Sequence, residues 1–320
     1  MKVGITGGQG FIGSHIVDRL IEVGHSVIVF DRHDHRPLWP VGTEFFQGDV
    51  RDSTAVVELA AHCDGIIHLA AVLGTQETIE NPRPSAETNI LGSLNVFEAA
   101  NQYNLPVVYA GVGNHWMRDH GTGAYTISKT AAEDFTRMFN KYRGGKITTV
   151  RPVNAYGPGQ SIAAPFGSSK VRKIMPAFIC RALTGAPIEV YGDGTQVSDC
   201  VYVGDVARVF VAALEYTAEH GPAERPLGVG PKTSVTVNEV AEQVAWEAHY
   251  QSGQPEVELI HLPMRPGEVP NAVVNADTST LEILPEEYWA DSFKSLEHGI
   301  QETVDYYYTN WLPGYLEGNR

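Results

Sequence analysis

Short apolar runs alternate with longer segments of helical periodicity through the first half of the chain. Six runs rich in β-branched and aromatic residues are expected to form strands: 3–6, 26–30, 44–47, 65–70, 107–110 and 147–150. Apolar residues at helical spacing occupy the stretches near 11–23, 53–61, 85–103 and 123–142. Strands that alternate with helices predict an α/β fold with a doubly wound parallel sheet.

Prolines divide the second half of the chain into shorter elements after Arg151 and Pro152, which predicts a smaller, mixed C-terminal lobe. Residues 199–214 have the pattern of a strand running into an apolar helix, and 226–230 that of another short strand. The chain is therefore expected to return to the sheet. We predict a sheet domain over 1–165, with that return at about 201–232, and a second lobe over 166–200 and 233–320.

Three glycines follow the first predicted strand and open the first predicted helix. Gly7, Gly10 and Gly13 permit a tight turn, close approach of the backbone to a pyrophosphate and close packing of helix on strand. The N–H groups of the first helical turn, at Phe11 and Ile12, are then free to meet phosphate oxygens. A strand, this spacing and a helix in succession predict a dinucleotide-binding loop.

The second predicted strand ends in Asp31, and a carboxylate at that position accepts hydrogen bonds from the adenosine ribose hydroxyls. Because this carboxylate repels a 2′-phosphate, NAD is the expected cofactor. Arg32 and Arg36 leave NADP open as the alternative, since a guanidinium in this loop can pair with a phosphate.

The next two strand ends are also expected to meet the cofactor. Asp49 and Val50 follow the third strand, where a carboxylate commonly meets the adenine amino group, and Asp52 has the position of a helix N-cap. His68 is expected to be a core histidine with satisfied hydrogen bonds. The three residues after it suit a backbone that passes under a cofactor: Leu69, Ala70 and Ala71.

Tyr125 and Lys129 are spaced i,i+4 at the start of a predicted helix, so their side chains share one face. A tyrosine with a pKa of about 10 is a poor base at neutral pH. A neighbouring ammonium and a nicotinamide cation both favour its phenolate, which can then remove a proton. The pair is therefore the expected catalytic couple.

Together with five further motifs, these features resemble an extended short-chain dehydrogenase/reductase of the NAD-dependent nucleotide-sugar epimerase/dehydratase family. The motifs are Asn-Ile-Leu-Gly-Ser-Leu-Asn-Val at 89–96, Arg-Pro-Val-Asn-Ala-Tyr-Gly-Pro at 151–158, Val-Tyr-Gly-Asp-Gly at 190–194, Tyr-Val-Gly-Asp-Val-Ala at 202–207 and Arg-Pro-Gly-Glu at 265–268. The resemblance covers nearly the whole chain. It implies a Rossmann domain of 1–165 and a nucleotide-sugar-binding second lobe.

The resemblance also implies roles for individual residues. Asn154 and Arg265 are expected to approach the diphosphate of the substrate, and Lys129 to bond the nicotinamide ribose as well as assist Tyr125. Asn89 is placed with the cofactor-binding residues. The other residues expected to bind substrate are Tyr191, Lys173, Val112 and Asn114.

One departure from the family pattern concerns a hydroxyl that assists proton transfer. Similar proteins have a serine/threonine cluster after the fifth strand, whereas this chain has Val112 and Gly113. The candidates for a substitute hydrogen bond are Thr126, His115, Asn114 and Thr122. The Asp-Glu pair that 4,6-dehydratases carry in this loop is also absent, which counts against that reaction.

A second departure is Ser198, which stands where similar proteins have an arginine that grips the diphosphate. Lys170, Arg172 and Lys173 are the candidates to compensate for the lost charge, and a solvated basic run is the equal alternative.

The amino-acid composition excludes several classes of binding partner and site. With 23 Lys and Arg against 38 Asp and Glu, the net charge of −15 disfavours nucleic acid and anionic membrane surfaces. Cys63, Cys180 and Cys200 are far apart, so neither disulfides nor zinc is expected, and a cytoplasmic location fits. We expect no metal site, although His33-Asp34-His35 and His115 with Asp119 and His120 carry residue types that bind metals.

The expected function is 4-epimerisation of a nucleotide-diphospho-sugar through a 4-keto intermediate, with NAD as cofactor. The alternatives are a dehydratase, decarboxylase or other variant that acts at C5, with His115 or Asp119 as second base, and a non-catalytic sensor of dinucleotide or sugar nucleotide. A homodimer is expected through the helices near 85–103 and 123–142, although core packing explains their apolar stripes equally well.

Overall fold

The computed structural model describes residues 1–34, 38–74, 77–116, 123–160, 166, 173–265 and 271–318. Thirteen strands lie within these ranges: β1 (Lys2–Thr6), β2 (Ser26–Asp31), β3 (Thr43–Gln47), β4 (Gly65–His68), β5 (Pro106–Ala110), β6 (Lys146–Pro152), β7 (Ala155–Tyr156), β8 (Ile188–Tyr191), β9 (Val197–Ser198), β10 (Val201–Tyr202), β11 (Leu227–Val229), β12 (Leu259–Leu262) and β13 (Val273–Val274).

The helices alternate with these strands. The α-helices are α1 (Phe11–Glu22), α2 (Ser53–Ala61), α3 (Glu77–Glu80), α4 (Arg83–Ser85), α5 (Ser93–Gln102), α6 (Ala124–Tyr142), α7 (Ile174–Leu183), α8 (Val203–His220), α9 (Val237–Ser252), α10 (Leu296–Tyr306) and α11 (Leu312–Gly318). Short 3₁₀ turns span Thr278–Ile283, Glu286–Tyr288 and Ala290–Ser292, and π-helical turns span Ala86–Gly92 and Tyr307–Trp311.

Seven strands form one parallel sheet in the order β11-β6-β5-β4-β1-β2-β3. The order reverses at β1, and in sheets of this kind ligands bind at the carboxyl ends of strands beside such a switch point. The α/β doubly wound fold predicted from the sequence is confirmed. No helix within the described ranges is both long and apolar enough to cross a bilayer.

Three apolar clusters hold the elements together. On one face of the sheet, α1 and α8 bury residues such as Leu20 and Phe210; on the other, α2, α5 and α6 bury residues such as Phe97 and Phe139. The third cluster, around Ile179 on α7, joins α7, α9 and α10 in the second lobe. Burial on both faces is why the central strands are continuous apolar runs.

Two expectations are corrected by the structure. The helix expected near 85–103 is divided, because a π-helical turn at Ala86–Gly92 separates α4 from α5. The strand expected at the start of 199–214 is β10, which pairs with β7 outside the large sheet. Only β11, within the expected 226–230, returns to the sheet, where it pairs with β6.

Candidate active site

A cleft of about 780 Å³ brings most of the predicted site residues together. Those that line it are Gly7, Gly10, Phe11, Ile12, Gly13, Leu69, Ala71, Val112, Asn114, Tyr125, Lys129, Asn154, Lys173, Tyr191 and Arg265. The predicted site residues outside its lining are Asp31, Arg32, Asp49, Val50, Ala70, Asn89, His115 and Thr126. The cleft therefore joins the glycine loop, the start of α6 and the second lobe.

The glycine loop is shaped by contacts that leave no room for side chains. Gly7 has φ of +75°, and a Cβ there would lie 2.8 Å from the backbone nitrogen of Ala70. A Cβ on Gly13 would lie 2.4 Å from the carbonyl oxygen of Gly7. No side chain caps the N-terminus of α1, which begins after Gly10 and lines the cleft, so its first-turn N–H groups are available to an anion there.

Asp31 supports this loop from the end of β2. Its carboxylate accepts hydrogen bonds from the backbone N–H groups of Gln9, at 3.1 Å, and Arg32, at 2.8 Å. Carboxylate oxygens have further lone pairs for ribose hydroxyls. Arg36, the other candidate partner for a 2′-phosphate, lies outside the described residues.

The carboxylate of Asp49 is already engaged within the protein. Arg51 donates to it from Nη2 at 2.7 Å and from Nε at 3.1 Å, and this pairing holds the pKa of Asp49 below its ordinary value. Val50 packs against Gly92 in the π-helical turn. Asp52 caps α2 through the N–H groups of its first turn, as the sequence predicts.

His68 is a buried core histidine with both ring nitrogens bonded, which confirms the sequence prediction. Its Nδ1 lies 2.6 Å from the hydroxyl of Thr6, and its Nε2 lies 2.9 Å from that of Ser93. Ser93 donates its own proton to the carbonyl of Asn89, so His68 donates from Nε2 and accepts at Nδ1. Burial and the nearby Lys129 lower the pKa of His68, which keeps it neutral.

Asn89 extends this network toward the start of α6. It donates to the carbonyl of Val72 at 3.0 Å and to the hydroxyl of Ser128 at 2.9 Å, and accepts from the N–H of Val72 at 2.7 Å. Ser128 in turn donates to the carbonyl of Tyr125 at 3.0 Å. Asn89 therefore links the backbone at Tyr125, through Ser128, to the segment after β4.

Tyr125 and Lys129 lie on α6 and both line the cleft. The hydroxyl of Thr78 accepts a hydrogen bond from the N–H of Tyr125 at 3.1 Å and so caps α6 in place of a local side chain. Burial raises the pKa of Tyr125 to about 12 and lowers the pKa of Lys129 to about 7. Burial therefore opposes both the phenolate of Tyr125 and the ammonium of Lys129, whereas the sequence predicts that this ammonium and a nicotinamide cation together favour the phenolate.

The described part of the loop after β5, up to Trp116, presents no hydroxyl to the cleft. Its cleft-lining residues run from Gly111 to Asn114, and Val112 among them is buried. Thr126 is also buried, and its oxygen has no partner among the described residues, but it does not line the cleft. Thr122 lies outside the described residues. The sequence predicts that the serine or threonine hydroxyl of similar proteins is absent from this loop. The described cleft wall likewise contains no serine or threonine.

The second lobe contributes cationic and amide side chains. The Arg265 guanidinium lies 4.7 Å from the ring centroid of Tyr191. Asn154 has φ of +26° and donates to the carbonyl of Asp199 at 2.9 Å. Lys173 lines the same wall, whereas Lys170 and Arg172 lie outside the described residues.

The family model for the NAD dependent epimerase/dehydratase family matches residues 3–225. The chain belongs to this family.

Relatives of this epimerase/dehydratase chain are similar over most of its length. A protein of Methanocaldococcus jannaschii with a provisional UDP-glucose 4-epimerase name is 31% identical, over 83% of this chain and 87% of its own. A UDP-N-acetyl-alpha-D-glucosaminuronate decarboxylase of Bacillus cytotoxicus is 27% identical, over 95% of this chain and 96% of its own. The crystal structure of the UDP-glucose 4-epimerase of Thermus thermophilus with NAD is 30% identical, with a TM-score of 0.79 over 97% of this chain and 100% of that chain.

The glycine loop of this family member fits NAD, the family's cofactor. The space that a Cβ on Gly7 or Gly13 would fill is taken by backbone, and the uncapped start of α1 faces the cleft. NAD supplies a hydride acceptor and a cationic ring when bound. That cationic ring would favour the phenolate that the sequence predicts for Tyr125.

Several cleft residues escaped the sequence analysis. Arg181 and Glu189 form an ion pair at 3.1 Å in the second lobe, and both line the cleft. Gln160 and Gln196 also line it, each with a buried side-chain oxygen that has no partner in the described structure. Only the polarity of Arg181 within the apolar helix α7 signals such a role in the sequence.

No group of three His, Cys, Asp or Glu side chains within the described ranges is arranged to hold a metal ion. His35, Asp119 and His120, which the sequence analysis considered as ligands, lie outside those ranges.

Proposed function

We propose that this chain is an NAD-dependent nucleotide-diphospho-sugar 4-epimerase. The observation that carries the proposal is the single cleft in which the glycine loop, Tyr125 with Lys129, and the cations Lys173 and Arg265 meet. In a chain of net charge −15, two cations in one cleft give local attraction for a diphosphate. UDP-sugars are the first substrates to test, since the relatives named above are a UDP-glucose epimerase and a UDP-sugar decarboxylase.

The proposed chemistry rests on one acid/base residue. As phenolate, Tyr125 takes the proton of the sugar 4-hydroxyl while C4 is oxidised to the ketone, with the hydride passing to the cofactor. The ketone then turns within the cleft and is reduced on its other face, and Tyr125 returns the proton. Lys129 stabilises the phenolate. Reactant and product are isomers, so no net oxidation occurs.

The alternative is a reaction at C5 after the same first oxidation, and the decarboxylase relative supports keeping it. Such a variant needs a second acid or base. His115 is a weak candidate, because it accepts a hydrogen bond from Arg151 and lies outside the cleft lining. A non-catalytic sensor is less well supported, since Tyr125 and Lys129 both face the cleft.

We also propose a homodimer and a cytoplasmic location. Leu91 and Ile127 are 56% and 48% exposed on the π-helical turn and α6, which supports a contact there. Other apolar residues of these helices, Phe97 and Phe139, are buried in the core. Core packing therefore explains those two residues but not the exposed Leu91 and Ile127. Light scattering at micromolar concentration tests the dimer, and a monomer there contradicts it.

Product analysis tests the function. The purified protein is denatured to identify released NAD, and native protein is incubated with UDP-, dTDP- and GDP-sugars in deuterated water, with Tyr125→Phe as the control. A 4-epimer without deuterium at carbon is the expected product, because hydride returns internally. Deuterium at C5 would establish the alternative. No turnover and no transient NADH with any sugar would exclude both.

A further inference from the structure

Tyr109 on β5 contacts Lys129 at two points. The Lys129 Nζ lies 4.1 Å from the centroid of the Tyr109 ring, and the Tyr109 hydroxyl donates to the Lys129 carbonyl at 2.9 Å. Tyr109 is fully buried. One side chain therefore fixes both the backbone of Lys129 and the position of its ammonium group.

Among the described residues, Glu133 is the charged group that stabilises this ammonium, and it does so without a direct contact. Within the described ranges, Nζ has no hydrogen-bond acceptor and no ion-pair partner. The carboxylate of Glu133, one turn along α6, is bound by the guanidinium groups of Arg151 and Arg137. His68 is neutral, so it adds no repelling positive charge beside the ammonium.

The ring suits the work that the proposed function gives Lys129. A buried ammonium without a partner is unstable, and the negative face of an aromatic ring attracts it. A carboxylate would attract it more strongly but would occupy its N–H donors. The ring occupies none of the three donors, which leaves them available to a ligand in the cleft that Lys129 lines.

The ring is itself held in place. Phe97 meets it edge to face, with centroids 5.6 Å apart and an interplanar angle of 81°, and the His68 ring lies 5.8 Å away. An aromatic ring in such a packed cluster is pre-organised, so the contact with Nζ needs no rearrangement when ligands enter.

We propose that Tyr109 is a positioning residue whose ring face favours the ammonium form of Lys129 and holds it at the cleft. The catalytic consequence rests on the proposed function, in which Lys129 stabilises the phenolate of Tyr125. The contact between the Tyr109 ring and the Lys129 ammonium does not depend on the proposed function, and it can be measured without turnover.

The test titrates Lys129 directly. Protein labelled with ¹³C at the lysine ε carbons is followed by NMR against pH, with Lys129→Met to assign the signal. Phenylalanine analogues with no, one, two and three ring fluorines are placed at position 109, because fluorine weakens the negative ring face while the shape is kept. We expect the pKa of Lys129 to fall stepwise along the series and by at least about one unit in Tyr109→Leu, a tenfold change in proton affinity.

Kinetics give the second readout. We expect Tyr109→Phe to keep kcat within about threefold of the native value and Tyr109→Leu to lower kcat about tenfold or more, with KM changed less than about twofold. Phe97→Leu is the matched control, because it removes a ring of the same cluster that does not contact Lys129. It should destabilise the fold while moving the Lys129 titration much less than Tyr109→Leu does.

The possible results distinguish a failure of the ring contact from a failure of the proposed function. A Lys129 titration that is the same across the fluorinated series overturns the proposal, as does a Phe97→Leu shift equal to that of Tyr109→Leu. If Tyr109→Leu does not fold, the fluorinated series, which conserves packing, still decides. A stepwise shift in a protein that turns over no sugar nucleotide would support the ring contact and contradict only the proposed function.

Discussion

The guanidinium of Arg151 donates to Nε2 of His115 at 3.2 Å, so His115 carries its ring proton on Nδ1, which lies 3.3 Å from the carbonyl of Gly113. Arg151 is fixed in turn by Glu133, which is buried. His115 therefore ties the loop after β5 to β6. An imidazole whose accepting nitrogen faces a guanidinium makes a poor general base.

The first prediction concerns this imidazole. We expect His115→Gln, whose amide oxygen can still accept from Arg151, to keep near-native activity, and His115→Ala to lower kcat by less than about tenfold. Steady-state rates with a UDP-sugar measure this. Two equally inactive variants would instead assign His115 to the chemistry.

The second prediction concerns the absent hydroxyl. Val112→Thr keeps the side-chain shape and adds a hydroxyl to the cleft wall, so kcat should stay level or rise, by up to about tenfold. Burial of the hydroxyl should lower the free energy of unfolding by about 1 kcal/mol. Val112→Ala, which changes volume without adding a donor, is the control. A large loss of activity in Val112→Thr alone would contradict the assignment of this position.

The third prediction separates two glycines. In Gly13→Ala the new Cβ meets the carbonyl of Gly7, and the turn must open, so NAD-free protein should lose about 2 kcal/mol of unfolding free energy. In Gly10→Ala the nearest atom is 3.2 Å away, so the fold should survive while NAD affinity falls about tenfold or more. Thermal melts and NAD retained after dialysis measure the two effects. Native NAD retention by Gly10→Ala would show that the pyrophosphate does not approach this residue.

The fourth prediction links Lys129 to stability. Its pKa is about 7 in the folded protein and 10.5 in the unfolded chain, so between these values the unfolded state binds the extra proton. The free energy of unfolding of NAD-free protein, relative to Lys129→Met, should therefore rise by about 2 kcal/mol from pH 7 to pH 9. Tyr125, with a pKa of about 12, stays protonated throughout this range. Denaturant titrations at the two pH values check the sign, and a flat difference would place Lys129 in a more polar environment.

The sequence predicts the sheet, the glycine loop and the Tyr125–Lys129 couple because each depends on local pattern. Gly7 needs a positive φ and Asp31 ends an apolar strand, so spacing alone reveals them. Contacts between distant segments leave no such signal. Thr78 caps α6 from 47 residues away, and nothing near Thr78 in the sequence distinguishes it from a surface threonine.

The sequence predicts the relative positions of Tyr125 and Lys129 but not their pKa values. Spacing places Lys129 beside Tyr125 on one helical face, but the degree of burial, which raises one pKa and lowers the other, follows from packing against β5. Glu133 likewise has a partner from a distant segment, Arg151 on β6, beside Arg137 one turn along its own helix. The ion pair of Arg181 with Glu189 joins a helix to the strand after it, and its opening into the cleft depends on tertiary structure.

The strand β11 and the helix α8 have a consequence for synthesis of the chain. Both complete the sheet domain, α8 over the same face as α1 and β11 beside β6, yet both follow the first segment of the second lobe in sequence. A nascent chain that has emerged only as far as β6 therefore exposes an unpaired strand edge and an uncovered apolar face, which are the features that promote aggregation. Fragments that end near Pro152 should be insoluble, and the two lobes should fold as one cooperative unit.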